Sequence, residues 1–523
     1  GYITKARKDW CSSKRSIIIR ITEESKVVSD LRISFANGKL KSYEVRCYQL
    51  SQLNKLLDEN NEAICDALWK DLRKSKQEVK MFEILPVKAE IAEIMVQLDK
   101  FMKPERIKSD LQNMQNTLEI RNEPYGIVLI LSAWNYPFLL ALKPLVGAIA
   151  AGNCCVLKPS ELAPNIATTI GNLIPKYLDN EFVKVINGGI PETTALLRER
   201  FDYIFYIGST NVGKIILKAA SNYFTPVTLE MGGKCPAIVD KSCDLDVVAN
   251  RIAWGKFINA GQTCLTVDYI LCVDGIQDEL INALKKSILK FYGEDPQRST
   301  DYGRIINNRN FQRVTKLIKK SNIVHGGDFD EKDLYISPTI LKNISVDDDI
   351  MKEEIFGPLL PIINVVDVEE AVQFVNQREK PLALYVFSKE KKTIDFVLQN
   401  TSSGGVTVND VIMHATALSL PFGGVGESGM GAYNGIHSLK TFSHQKSCLI
   451  ASQRFESLNN VRYPPYPSKE NFMVRFITDG LNKKINRSGG NKYWTAGTLL
   501  IACGVGAYLD LRVLANIILA YVR

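Results

Sequence analysis

The segment Ile127–Leu131, with the sequence I-V-L-I-L, decides the fold, and the polar segment S-A-W-N-Y-P at 132–137 follows it directly. A short, continuous apolar run predicts a strand buried on both faces, as in a parallel sheet. Loops at the carboxyl ends of parallel strands are where α/β proteins place their sites. We therefore expect the loop around Asn135 to belong to a binding or catalytic site.

The same arrangement recurs along the chain. Four further short apolar runs are each followed by a polar or glycine-containing segment, at 154–157, 183–186, 203–207 and 225–229. Strands that alternate with helices at this spacing indicate a doubly wound, Rossmann-like nucleotide-binding domain. A second α/β unit is expected at the apolar run 359–366 and the amphipathic helix 368–377, and two amphipathic helices are expected upstream, within 31–103.

Two glycine-rich segments are candidates for a phosphate-binding loop. The segment 424–429 matches G-x-G-x-x-G literally, but 421–423 (P-F-G) precedes it instead of an apolar strand, so we interpret it as a structural loop. The segment 208–213, G-S-T-N-V-G, has Thr210 where the second glycine should be, yet it lies between a predicted strand and a predicted helix. Amides at such a helix N-terminus can bind a pyrophosphate, so the context favours 208–213.

Two side chains are candidates for covalent and acid–base chemistry. The segment 257–264, F-I-N-A-G-Q-T-C, leads through a turn of small residues to Cys264. A thiolate nucleophile needs backbone that a substrate can approach and polar neighbours that keep it ionised, although a buried apolar role is commoner for a free cysteine. Glu230, at a strand end before two glycines, could act as a general base, although alone a helix cap or a solvated acid would be the simpler interpretation.

Composition limits the classes of function. The 523 residues are 46% hydrophobic, which is enough for two or three domains. The 11 cysteines form no C-x-x-C pair, which fits a reducing compartment, and none of the four histidines lies in H-E-x-x-H, so we expect no metal site. The net charge of +8 is modest and concentrated at the two ends, which indicates an anionic membrane surface and not nucleic acid as the partner.

Seven motifs occur in an order that resembles the aldehyde dehydrogenase superfamily. They are A-W-N-Y-P (133–137), L-K-P-S-E (157–161), I-G-S-T-N-V-G (207–213), L-E-M-G-G-K (229–234), N-A-G-Q-T-C (259–264), E-E-I-F-G-P (353–358) and P-F-G-G-V-G (421–426). The resemblance covers roughly 31–467, and four further segments (302–308, 430–435, 441–444 and 462–465) are similar to the class 3 branch, above all to its membrane-attached fatty aldehyde dehydrogenases. Val267 stands where class 3 relatives often have proline.

The resemblance implies an NAD(P)-dependent enzyme that oxidises aldehydes, especially medium- and long-chain fatty aldehydes, to carboxylic acids. It implies that Cys264 is the nucleophile, that Glu230 activates the hydrolytic water, and that Asn135 donates to the oxyanion together with the N–H of Cys264. The residues that it implies for NAD binding are Lys158, Glu161, Gly208, Ser209, Gly213, Glu354 and Phe356. NADP stays open as a second cofactor, because Glu161 would favour NAD whereas a nearby lysine could accept a 2′-phosphate. A homodimer is implied by the class 3 resemblance alone.

Two alternative functions remain. An acylating dehydrogenase would pass the thioester to coenzyme A, but a hydrolytic base such as Glu230 would be unhelpful there. A catalytically silent, membrane-bound relative would be expected to have degraded motifs, whereas Asn135, Glu230 and Cys264 are all present. Both alternatives are therefore less favoured than the hydrolytic dehydrogenase.

We divide the chain into six segments. They are a basic N-terminal extension (1–30), an NAD-binding domain (31–230), a catalytic domain (231–420), a bridging and oligomerisation segment with a small β element (421–467), a basic linker (468–492) and a hydrophobic tail (493–523). The extension could be a mitochondrial presequence or a disordered segment.

The tail is predicted to anchor the protein to an intracellular membrane. Residues 493–509 carry no charge, close to the minimum for a spanning helix, and Tyr493-Trp494 fits an interfacial aromatic belt. A second apolar run, 513–522, could complete a hairpin or lie in the interface; the alternative is a buried C-terminal helix. Cations upstream of the tail place the catalytic domain in the cytosol, on the endoplasmic reticulum, the mitochondrial outer membrane or a lipid droplet.

Overall fold

The computed structural model describes residues 22–109, 113, 116–318, 322–454, 456, 462–466, 475, 478 and 479. The basic start of the chain and the predicted membrane tail (493–523) lie outside the described residues. Among the helices that are described, none combines the length and the apolar character needed to cross a membrane. The chain divides into a large unit, 1–109 with 118–449, and a small unit, 110–117 with 450–523. Within the small unit, the Tyr463 hydroxyl donates to Glu456 over 2.6 Å.

The strands of the described residues are numbered in chain order. They are β1 Glu105–Ile107, β2 Thr117–Pro124, β3 Ile127–Leu131, β4 Cys154–Lys158, β5 Val183–Val185, β6 Tyr203–Gly208, β7 Val227–Met231, β8 Pro236–Val239, β9 Tyr269–Val273, β10 Ile323–His325, β11 Phe329–Asp330, β12 Tyr335–Ile336, β13 Thr339–Leu341, β14 Leu359–Val365, β15 Ala383–Phe387, β16 Gly405–Val408, β17 Gly429–Met430 and β18 Ser443–Ile450.

The α-helices are identified by their bounds. They are Glu23–Ala36, Tyr43–Glu59, Asn61–Leu72, Lys76–Val79, Leu85–Met102, Leu139–Ala151, Pro164–Tyr177, Ile190–Leu196, Thr210–Ser221, Leu245–Phe257, Gln277–Tyr292, Asn308–Thr315, Asp349–Lys352, Val368–Asn376, Lys391–Asn400 and Ile436–Thr441. A π-helical turn, Lys80–Ile84, joins Lys76–Val79 to Leu85–Met102.

The first sheet has the strand order β17-β7-β6-β3-β4-β5 and is parallel except at β17. All five residues of β3 are buried, as the sequence I-V-L-I-L predicts. The chain runs outward from β3 through β4 to β5 and then returns to place β6 on the other side of β3. Ligands of open α/β sheets bind at the carboxyl ends of the strands at such a switch point. The loops after β3 and β6 therefore meet at the expected site.

The second sheet has the order β10-β13-β14-β9-β8-β15-β16, with only its edge strand β10 antiparallel to its neighbour. Strands β1, β2 and β18 form a small third sheet. The two Rossmann-like sheets confirm the predicted α/β class. The segment 424–429 lies in a 3₁₀ turn and at the start of β17, where Gly429 pairs with Glu230, and not between a strand and an α-helix.

The region before β1 contains more separate helices than its hydrophobic periodicity predicts. The sequence predicts two helices within 31–103, whereas four α-helices and the π-helical turn follow residue 42. The leucines that define the pattern, such as Leu53 and Leu68, are fully buried. A further helix begins at Glu23, where the Thr22 side chain accepts from Ser25 N–H over 3.2 Å. Periodicity misses these boundaries because they depend on local caps and not on the apolar face.

Candidate active site

Glu230 lies inside strand β7, and not after it, with its carboxyl buried beside the switch point. The hydroxyl of Tyr433 donates to Oε2 of Glu230 over 2.8 Å. Burial raises the pKa of Glu230 to about 7, whereas the hydrogen bond from Tyr433 and the charge of Lys143 oppose this rise. A carboxyl with this pKa can both accept and release a proton near neutral pH.

The loop that carries Cys264 has an unusual backbone. Asn259 and Ala260 both have a φ of 51°, in the left-handed region that costs a non-glycine residue free energy. A Cβ at Gly261 would collide with the carbonyl oxygen of Gly357, so only glycine allows this close approach. Such conformations persist only when the surrounding structure determines them.

Gln262 provides much of that constraint. Its amide nitrogen donates to the carbonyl of Asn259 over 3.0 Å and to the carbonyl of Arg304 over 2.9 Å. Its amide oxygen accepts the N–H of Ile306 over 3.0 Å. The buried Gln262 therefore holds the turn in place from within, and Cys264 lies partly buried two residues later.

The loop after β3 is joined to the cysteine loop at two points. The side-chain amide of Asn259 donates to the carbonyl of Asn135 over 2.9 Å, and the Tyr136 hydroxyl lies 3.0 Å from the hydroxyl of Thr263. Asn135 is buried, with 3% of its surface exposed. The structure thus brings the loop of Asn135 against the loop of Cys264, so that two of the three residues expected to be catalytic lie on adjoining loops.

The electrostatics of Cys264 differ from the expectation. From the sequence, polar neighbours are expected to keep the thiol ionised. In the structure, burial raises the pKa of Cys264 well above its usual range, and the nearby carboxyls of Glu230 and Glu354 raise it further. The physical reason is burial of the thiol first, and the negative charge of these two acids second. The thiol is therefore protonated at neutral pH, and its use as a nucleophile requires a base.

Two buried residues without a role assigned from the sequence lie near Glu230: Lys143 and Tyr433. Lys143 is 5% exposed, donates to Asn434, and lies with Nζ 5.3 Å from the centre of the Tyr433 ring. Burial lowers the pKa of Lys143, while the charges of Glu90 and Glu230 oppose that change. Lys143 could have been noticed in the sequence, because it is the lone lysine of the apolar helix Leu139–Ala151. Its contact with Tyr433 has no signal in the sequence.

The residues expected to bind a dinucleotide, which we call the cradle, include Lys158, Glu161, Ser209 and Gly213 around the carboxyl ends of β4 and β6. Lys158 ends β4, and its Nζ donates to Glu161 over 3.0 Å. Ser209 precedes the helix Thr210–Ser221 and makes no capping side-chain hydrogen bond within the described part of the chain, so the first amides of this helix are available to an anion. A Cβ at Gly213 would collide with the sulfur of Met231, so glycine keeps this helix close to β7.

Glu354 and Phe356 reach the same region from the second half of the chain. Oε1 of Glu354 is buried and has no hydrogen-bond partner among the described residues, and the carboxyl lies against Gly232. Burial, with a smaller contribution from Asp268, raises the pKa of Glu354 to about 8. The Phe356 ring packs edge-on against Trp134 at 5.2 Å between centres. An unpartnered buried carboxyl oxygen and a free helix N-terminus fit the hydroxyls and pyrophosphate of a dinucleotide.

The described residues contain no group of three or more His, Cys, Asp or Glu side chains that could hold a metal ion. The site instead combines a thiol, a carboxyl near its midpoint of protonation, and an amide loop beside a dinucleotide cradle. This combination suits covalent catalysis with a bound organic cofactor.

Comparisons with known proteins identify the family. The model of the aldehyde dehydrogenase family matches residues 26–448. The chain is 52% identical over 445 residues to the dimeric NADP-preferring aldehyde dehydrogenase of Mus musculus, covering 85% of this chain and 98% of that protein. It is 47% identical over 473 residues to aldehyde dehydrogenase family 3 member A2 of Mus musculus, covering 90% and 96%.

A solved structure is also similar. AldH from Staphylococcus aureus, in a substrate-bound state, superposes with a TM-score of 0.84 at 43% identity, covering 87% of this chain and 99% of that one. The ordered motifs, the two sheets and the converging site agree with these matches. The chain therefore belongs to the aldehyde dehydrogenase family, in its class 3 branch.

Proposed function

We propose that this NAD(P)-dependent aldehyde dehydrogenase oxidises medium- and long-chain aldehydes by covalent catalysis at Cys264. The observation that supports this most directly is that the buried Glu230 carboxyl lies within electrostatic range of the Cys264 thiol and raises its pKa. Both lie beside the loop of Asn135. A nucleophile, a base and an amide donor are the groups that acyl chemistry on a carbonyl requires.

The first step forms a carbon–sulfur bond. The carboxylate of Glu230 takes the proton of the Cys264 thiol, and the sulfur attacks the aldehyde carbon to give a thiohemiacetal. The side-chain amide of Asn135 and the backbone N–H of Cys264 stabilise the oxyanion. Removing one such donor typically costs about 3–4 kcal/mol in the transition state.

The cofactor is held by the residues of the cradle. Lys158 and Glu161 bind the adenosine ribose, the amides of 208–213 bind the pyrophosphate, and Glu354 binds the nicotinamide ribose with Phe356 packed nearby. NAD(P)⁺, when bound, accepts a hydride, which leaves the substrate as a thioester on Cys264. Glu230 then releases to solvent the proton that it took from Cys264. It next takes a proton from the water that attacks the thioester and returns this proton to the departing sulfur, which gives the carboxylic acid and the free thiol.

Tyr433 is expected to set the pH at which Glu230 works. The variant Tyr433→Phe loses a hydrogen bond that stabilises the carboxylate, so the pKa of Glu230 rises above about 7. A hydrogen bond to a charged group contributes about 1.5–3 kcal/mol. The acidic limb of the pH–rate profile should therefore move up by roughly one pH unit, so that activity at pH 7 falls while activity at pH 9 is largely kept.

The measurement is the pH dependence of kcat/KM with one aldehyde. The matched control is Tyr203→Phe, which removes another buried tyrosine hydroxyl, one that lies on strand β6 and 2.6 Å from the hydroxyl of Thr228. Its profile should keep the wild-type midpoint. An unchanged midpoint in Tyr433→Phe would show that this hydroxyl does not act on the base.

The preference for apolar substrates is supported by an aromatic and aliphatic cluster next to both catalytic loops. The rings of Phe82 and Trp254 pack 5.8 Å apart, and Val411 and Ile412 lie against Gly255. Trp254 lies in the helix Leu245–Phe257, which leads into the cysteine loop. Phe82 precedes Glu83, whose carboxyl accepts the N–H of Leu139 at the start of the helix after Asn135. Ile412 has a φ of 66°, a rare conformation for a β-branched residue. The half-buried side chains of Phe82, Trp254 and Ile412 would contact an alkyl chain, and the fully buried Val411 would support them from behind.

We propose further that the chain works as a membrane-attached homodimer. The word "dimeric" in the name of the mouse relative supports the dimer. The segments 31–230, 231–420 and 421–467 serve cofactor binding, catalysis and oligomerisation, and the linker 468–492 and tail 493–523 attach the enzyme to an intracellular membrane with the catalytic domain in the cytosol.

The experiment compares hexadecanal with a short aldehyde, on vesicles, for the full chain and for a chain that ends at Lys492. We expect both chains to oxidise the short aldehyde equally and the shortened chain to lose long-chain turnover on vesicles, because membrane attachment delivers the lipid-soluble substrate. Equal loss with both aldehydes would contradict the membrane role. If the full chain forms reduced cofactor with neither aldehyde, the proposed activity itself is contradicted.

A further inference from the structure

Lys74 forms a buried ion pair directly beneath the loop of Asn135. The side chains of Lys74 and Glu83 have no exposed surface, and Nζ lies 2.6 Å from Oε1 of Glu83. Nζ also donates to the backbone carbonyl of Asn135 over 2.7 Å and lies 3.6 Å from the centre of the Tyr136 ring. These contacts connect the ammonium group to Glu83 and to the loop after β3.

The carbonyl of Asn135 is a shared acceptor. It receives Nζ of Lys74 and the side-chain amide of Asn259, which belongs to the cysteine loop. Because both donors converge on one oxygen, the peptide plane that follows the α-carbon of Asn135 is fixed relative to the loop of Cys264. The side chain of Asn135 leaves the same α-carbon, so its direction depends on this anchoring.

Glu83 extends the clamp to the next helix. Its Oε2 accepts the N–H groups of Phe138 over 3.2 Å and Leu139 over 2.9 Å, at the start of the helix Leu139–Ala151. Glu83 lies in the π-helical turn Lys80–Ile84, a distortion that is frequent at functional sites. Lys74 and Glu83 therefore connect both ends of the segment 135–139 to the π-helical turn.

We propose that Lys74 is a positioning residue for aldehyde activation: it holds the carbonyl of Asn135 so that the Asn135 amide points at the oxyanion. The proposal rests on the proposed function of Asn135. A buried ion pair usually adds little net stability over apolar residues of the same size. A displacement of about 1 Å in a catalytic group, by contrast, can cost about 100-fold in rate.

The test is a double-mutant cycle between Lys74→Met and Asn135→Ala in the full-length enzyme. We expect Lys74→Met alone to lower kcat/KM for the aldehyde by roughly 10- to 100-fold, with the dissociation constant for NAD changed by no more than about twofold. In the Asn135→Ala background, Lys74→Met should lower kcat/KM by no more than about twofold further, because the amide that it positions is gone.

Removing Lys74 alone leaves Glu83 without its partner and can unfold the protein. The variant Lys74→Met/Glu83→Gln leaves no unpaired charge and replaces the single variant if that one fails to fold. The matched control is Arg46→Met, which removes another buried cation, one that donates to the carbonyls of Leu40 and Ala150. It should lower thermal stability and leave kcat/KM within about twofold.

The outcomes separate the inference from the proposed function. If the effects of Lys74→Met and Asn135→Ala on kcat/KM multiply, the positioning role is overturned. The same holds if Arg46→Met lowers kcat/KM as much as Lys74→Met does. Both results leave the role of Asn135 intact. Full activity of Asn135→Ala would instead overturn the oxyanion role on which the inference rests.

Discussion

The variant Cys264→Ala is expected to lose aldehyde oxidation almost completely, with kcat lowered by roughly 10⁴- to 10⁶-fold. The sulfur forms the bond that holds the substrate carbon through both halves of the reaction, and alanine offers no replacement. Cofactor binding should persist, because the cradle of Lys158 and the helix Thr210–Ser221 does not contact this side chain in the described hydrogen bonds.

The measurement is reduced-cofactor formation at saturating aldehyde, with cofactor affinity determined separately. Cys47→Ala is the matched control, because Cys47 is likewise a free, partly buried cysteine, but lies on the helix Tyr43–Glu59, away from the loops. It should keep full activity. Substantial oxidation by Cys264→Ala would mean that the reaction does not use a thiohemiacetal at this residue.

Much of the site could be predicted because its residues follow short-range patterns. The apolar run of β3 predicts a buried parallel strand, and Asn135 follows it at the carboxyl end. The same rule places Lys158 and Gly208 at the carboxyl ends of β4 and β6, where the structure has them as the last residues of these strands. The ordered motifs then connect Cys264 and Glu354 to this edge, although these two come from the second half of the chain.

The remaining features depend on tertiary burial that no local pattern encodes. The hydrogen bond from Tyr433 to Glu230 joins residues 203 positions apart. The raised pKa of Cys264 arises first from burial and then from acids that are distant in sequence, so the motif alone indicates the wrong protonation state for the thiol. The left-handed backbone at Ala260 is equally hidden, because alanine gives no sequence signal for a positive φ.

The variant Glu230→Gln is expected to separate the two halves of the reaction. An amide cannot accept the proton of the attacking water, so hydrolysis of the thioester should slow by about 10²- to 10⁴-fold. Formation of the thioester requires only that Cys264 lose its proton, and bulk hydroxide can remove this proton at high pH. A burst of about one reduced cofactor per site, followed by slow turnover, is therefore the expected time course above pH 8.

Rapid mixing measures the burst, and mass spectrometry of the quenched enzyme should find the acyl group on Cys264. Glu119→Gln is the matched control, because Glu119 is a buried glutamate of strand β2 that pairs with Arg121 at 2.9 Å, and its loss should leave turnover intact. Added coenzyme A distinguishes the acylating alternative: acceleration of the wild-type enzyme would show that a thiol, and not water, is the natural acceptor. A Glu230→Gln enzyme with neither burst nor trapped acyl group would contradict the expected separation of the two halves, because it would show that bulk hydroxide cannot replace Glu230 as the base for the buried thiol of Cys264.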